Sequence, residues 1–110
     1  MTADIGVRAF AVSVYRGARG RSSSVTVNGK PLDPRCDLRA PAGDGFDWGS
    51  PGDGATQLAL AILADHAGDD VALRVFRRFE TAVVVGLPFA GWTLAGHDVD
   101  LALAVIETQG

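Results

Sequence analysis

The sequence predicts an α+β domain, a small antiparallel sheet of three to four strands packed against three helices. Two-residue alternation of apolar and polar side chains is concentrated in the first third, where Ser24-Val25-Thr26-Val27 runs into Asn28-Gly29. From residue 55 the apolar spacing becomes helical. Strands and helices segregated along a chain in this way argue for helices on one face of a sheet. At 110 residues with 47% hydrophobic and 21% charged side chains, the chain is expected to form one domain over residues 1–110 with a real core.

Each element follows from local chemistry. Arg8 to Arg16 alternates, with Phe10, Val12 and Val14 on one side and Ala9, Ala11, Ser13 and Tyr15 on the other, as in a strand buried on one face. Gly17-Ala18-Arg19-Gly20 breaks it. Asn-Gly predicts a type I′ hairpin turn, because both residues tolerate positive φ. The return strand is short, since Pro31 lacks a backbone donor. Residues 33–54 hold three prolines and five glycines and read as a long loop, with a brief strand at GFDWG anchored by Phe46 and Trp48. A loop of such length in a small domain is often functional.

A first helix is expected over Ala55 to Ala67, apolar nearly all round, with Asp53 as N-cap and Gly68 just past its end. Asp69 or Asp70 is expected to cap a second helix that runs to about Val85, burying Val71, Ala72, Val75, Phe76, Phe79, Ala82 and Val83. Asp70 and Arg74 sit at i, i+4 in the favourable order on its opposite face. Trp92-Thr93-Leu94 suggests a last short strand, and Gly96 to Glu107 a third helix with Val99, Ala102, Leu103 and Ile106 at core spacing.

Several classes are excluded or disfavoured. One cysteine cannot form a disulfide within the chain. The longest apolar run, Leu58 to Ala64, falls far short of the roughly 20 residues of a membrane span. With no apolar leader near the start, a cytoplasmic protein with no membrane partner is expected. Net charge is −3, but residues 1–40 carry +4 and residues 41–110 carry −7. That asymmetry suits a polar interaction face and falls short of a dedicated nucleic-acid binder.

The segments YRGARG, VTVNGKPL, GFDWG, QLALAILAD and LPFAGWTL resemble, over about residues 15–105, a family of small uncharacterised prokaryotic proteins associated with plasmids and prophages. Ser50 and Ala95 depart from the Tyr and Thr usual in that family. The resemblance implies a shared fold and a role in conflict between a mobile element and its host. It implies no catalytic residue.

The chemistry-bearing residues yield no catalytic, cofactor or metal site. The loop Gly49 to Gly54 opens into a helix, yet lacks the Gly-Lys-Ser/Thr ending of a P-loop, and Asp53 would repel an anion. Asp44, Asp47 and Asp53 do not have calcium-loop spacing. His66 and His97 lack ligand partners at zinc spacing, and His66 is expected to cap or pack. Cys36 has Arg35 and Arg39 nearby but no identifiable base. Tyr15-Arg16-Gly17 resembles the first motif of some ADP-ribosyltransferases, but no Glu-x-Glu or Gln-x-Glu follows.

The sharpest feature is basic. Arg16, Arg19 and Arg21, with Lys30, Arg35 and Arg39, would form a basic edge if the first hairpin gathered them. The expectation is therefore a non-enzymatic protein that docks on a host or defence protein through Tyr15, Arg16, Arg19, Arg21, Phe46 and Trp48, although Phe46 and Trp48 also fit core positions. Weak nucleic-acid binding through the N-terminal arginines is the alternative. Homodimerisation through the sheet edge is compatible with the pattern.

Overall fold

A computed structural model describes residues 13–43 and 45–108. Strands β1 (Val14–Arg19), β2 (Ser23–Val27) and β3 (Lys30–Pro31) are followed by helices α1 (Asp53–Ala67) and α2 (Asp69–Ala82). A 3-10 turn at Val84–Gly86 then leads to β4 (Gly91–Ala95) and helix α3 (Gly96–Thr108). The sheet is antiparallel in the order β3-β2-β1-β4. The α+β class expected from the sequence is the class observed.

The hairpin turn behaves as Asn-Gly dictates: Asn28 has φ 51° and Gly29 has φ 83°. Asn28 also closes the turn with its side chain, whose Oδ1 accepts from the Val14 backbone N–H at 2.8 Å. Strand β1 continues through Gly17 and Ala18 to Arg19, past the break expected at Gly17, and its buried residues are Tyr15 and Gly17, while Val14 is half-buried. Residues 8–12 of the expected first strand, with Phe10 and Val12, lie outside the described residues, as does Asp44 of the loop acids.

Helix α1 is buried at every position from Ala55 to Ala64, as an element apolar all round must be. It lies beneath the inner face of the sheet, where the Tyr15 hydroxyl donates to Asp65 at 2.7 Å. Burial and the neighbouring Asp65 push the Tyr15 pKa well up, keeping the phenol neutral. Asp53 is the first residue of α1, not its N-cap, which is Gly52. The cap role is filled from outside the helix: buried Glu80 on α2 accepts from the Thr56 hydroxyl at 2.7 Å and faces the Gly52 N–H. A carboxylate at a helix start also meets the positive end of its dipole.

Helix α2 has Gly68 at its N-cap, so Asp69 and Asp70 stand in its first turn and neither caps it, and it ends at Ala82, exposed and three residues short of the expected end. The Asp70–Arg74 pair is absent because Arg74 reaches across to Glu107 on α3, with bonds of 2.9 and 3.0 Å. His66 packs against the start of α3, its ring beside Gly96 and its Nε2 2.7 Å from Asp100.

The GFDWG segment forms no strand. The long loop is held instead by side chains of α1. Buried Gln57 donates to the carbonyls of Pro34 (2.7 Å) and Arg39 (2.9 Å), and its Oε1 accepts from Arg39. Asp53 accepts from Arg39 and from the Ala42 and Gly43 backbone N–H groups, which together hold its pKa below the ordinary 3.8. Arg35 bridges Asp37 and Asp69 and lowers both carboxyls. Depressed carboxyls stabilise the fold in full above pH 3.8 and lose that contribution as pH falls through their folded values, because the unfolded chain takes up protons first. Acid should therefore lower the urea midpoint below about pH 4. In Asp53→Asn the acid-induced loss should be smaller, while stability at pH 7 is already reduced.

Candidate functional site on the open face of the sheet

Alternation in β1 sends Tyr15 and Gly17 inward and Arg16 and Ala18 outward. The register sets the outward neighbours. Arg16 stands between Thr26 on β2 and Thr93 on β4, with Pro31 beyond Thr26. Ala18 stands between Ser24 and Gly91. Arg16, Ala18, Ser24, Pro31 and Thr93 are exposed. The result is a flat platform of small and hydroxyl-bearing residues with one cation near its centre. Among the described residues Arg16 forms no salt bridge. Arg21 is exposed in the β1–β2 turn at one end of the platform.

The other basic groups are not gathered there. Arg35 and Arg39 are committed to aspartates in the long loop. Arg19 is a clamp: its guanidinium lies over the rings of Phe89 (3.9 Å) and Trp48 (4.4 Å) and donates to Asp47 and the Phe89 carbonyl, both at 2.7 Å. The Arg19 bond, with the Trp48 backbone N–H, holds the Asp47 carboxyl low. Lys30 is exposed in the second hairpin. A continuous basic edge does not form, because acidic residues distant in sequence neutralise half of the set.

Of the aromatic candidates, Tyr15 and Trp48 are interior, at 0% and 1% exposure, and Phe46 is half-buried against the core. Trp48 meets Trp92 edge to face with centroids 5.5 Å apart, and its Nε1 donates to the Phe89 carbonyl at 3.0 Å. These rings brace the platform from beneath. Phe89, which the sequence reading passed over, is 70% exposed in the loop before β4. Its signal was an aromatic residue in a Pro-Phe-Ala-Gly turn.

A half-open cavity of about 370 Å³ lies under the long loop, lined by Leu32, Pro34, Pro41 and Phe46 with Cys36 and Gln57. Both ends of the Gln57 amide are already bonded to the loop, and the described lining is mainly apolar. Among the described residues no three His, Cys, Asp or Glu side chains cluster as metal ligands, and no helix is long and apolar enough to cross a membrane.

A model of a family of unknown function, DUF6166, matches residues 15–105. The chain belongs to this family. The DUF6166 match takes in every platform residue from Arg16 to Thr93 and ends inside α3. No curated protein and no solved structure shows a match to the chain.

Proposed function

We propose that this DUF6166 protein is a non-enzymatic docking protein that binds an acidic protein surface through the open face of its sheet. The observation that carries the reading is Arg16, an exposed cation at the centre of a flat, small-residue face, with no ion pair among the described residues. Guanidinium is suited to bidentate recognition of carboxylates, and small neighbours let a partner approach it closely. Arg21 extends the contact at the end of the sheet. The partner we infer is a host or defence protein, and the chain is an accessory protein of a mobile element. That last part rests on the motif resemblance. Nucleic-acid binding is the weaker reading because Arg19, Arg35 and Arg39 are engaged by aspartates.

Affinity capture of the tagged chain from lysate, with and without nuclease, tests the reading. The expected result is a stoichiometric protein partner that survives nuclease. Arg16→Glu should weaken its retention at least about tenfold, the equivalent of one charge-assisted contact. Recovery of nucleic acid alone, lost at moderate salt, would overturn it.

A further inference from the structure

The two edges of the sheet differ. The β3 edge is two residues long and ends in Pro31, which blunts it against pairing. The β4 edge is five residues long and has no proline and no charged side chain. Its backbone orientation follows from the register. Gly96 donates to the Ser13 carbonyl at 2.8 Å, one step beyond the Val14–Ala95 pair. Hydrogen-bonded pairs alternate along an antiparallel ladder, so Trp92 and Leu94 bond to β1, and Gly91, Thr93 and Ala95 direct their backbone groups away from it. The Ala95 N–H, aimed outward, is taken by the Asp98 carboxylate at 2.9 Å. Among the described residues the Gly91 and Thr93 N–H groups have no partner.

We propose that the β4 edge pairs with the same edge of a second copy about a two-fold axis through Thr93, joining the two sheets into one. The sequence of β4 is complementary to itself about that residue. Antiparallel pairing centred on Thr93 sets Trp92 opposite the partner's Leu94, Thr93 opposite the partner's Thr93, and Gly91 opposite the partner's Ala95. Thr–Thr pairs are favourable cross-strand neighbours, and no like charges come face to face, while Trp92 and Leu94 stay in the core of their own copy. The open faces of the two sheets would then be continuous, with their Arg16 residues three strand spacings apart, about 14 Å.

Light scattering on the eluting full chain measures the assembly directly. The expected mass is about twice the 11.4 kDa of one chain. Thr93→Pro removes the outward N–H without touching the ladder to β1, and Thr93→Lys sets like charges opposite each other. Both should elute as monomers with unchanged far-ultraviolet circular dichroism, and mixing the Thr93→Lys and Thr93→Asp chains should restore the dimer. Hydrogen exchange on the unaltered protein reads the same edge without substitution: the Thr93 amide should be protected at high concentration and lose protection on dilution. A monomeric wild type, a dimer unmoved by both substitutions, or a Thr93 amide that exchanges freely at every concentration would overturn the proposal. A monomer would leave the docking reading standing, since that rests on Arg16 alone.

Discussion

Trp48→Ala should destabilise the fold by about 3–5 kcal/mol, the range for removing a large buried aromatic side chain. Trp48 is fully buried, and three separate structures converge on it. It fixes the long loop to the loop before β4 through its bond to the Phe89 carbonyl, meets Trp92 edge to face, and supports the Arg19 guanidinium on its ring. The truncation therefore leaves a cavity and also releases the clamp that joins β1 to both loops. In a domain of about this size each kcal/mol lowers the melting temperature by roughly 4–8 °C, so a fall of at least about 12 °C is expected in a calorimetric scan. Trp48→Phe keeps most of the ring and loses the indole N–H, so it should cost distinctly less. Equal losses for the two variants would contradict this account of the residue.

Gly17→Ala should cost about 1–3 kcal/mol through overpacking, although Gly17 lies in a strand where alanine is ordinarily tolerated. The reason is size. A Cβ at Gly17 would stand far inside van der Waals contact of the Trp92 indole. Trp92 crosses over β1 at this point, paired with Gly17 in the register. Replacing Trp92 with leucine removes the obstacle, so Gly17→Ala should be much less harmful in a Trp92→Leu background. A double-mutant cycle by urea unfolding measures the difference, and a coupling of about 0.5–3 kcal/mol is expected for residues in contact. Additive losses would mean that the strand, and not the indole, rejects the methyl group. The Trp92 Nε1 is buried without a hydrogen-bond partner among the described residues, so Trp92→Leu alone loses packing but no polar contact.

The fold was legible where it depends on short-range chemistry. Asn28-Gly29 specified its turn, the apolar surround of α1 specified its burial, and Trp92-Thr93-Leu94 read as a strand from the i, i+2 spacing of its bulky residues, within the observed Gly91–Ala95. What could not be read were pairings between residues distant in sequence. Arg74 had a suitable acid four residues away and took Glu107 instead, since α3 packs beside α2. Arg19 looked like part of a basic edge, and its partners Asp47 and Phe89 lie 28 and 70 residues away. The GFDWG segment has strand-like alternation but forms no strand, and Trp48 is buried there by the packing of a loop rather than a sheet. Gln57 and Glu80 appeared in helices as ordinary polar residues. Their burial follows from the loop and the helix start that they tie down.

Arg16 was in the expected contact set, but its position could be assigned only after β4 was found beside β1. Once Thr93 flanks Arg16 on the side opposite Thr26, the arginine lies at the centre of a face rather than at an edge. Helices and the long loop, with Trp48, pack against the inner face, so among the described residues the outward rows of β1, β2 and β4 form the exposed surface.

The docking claim is tested most directly by photocrosslinking from defined positions. A benzophenone side chain at Ala18 sits on the open face beside Ser24, and the same group at Thr81 sits on the exposed side of α2. Irradiated in cells, the Ala18 probe should yield a covalent adduct with one protein of defined mass, and the Thr81 probe should yield none. An adduct from Thr81 with none from Ala18 would contradict binding through the sheet.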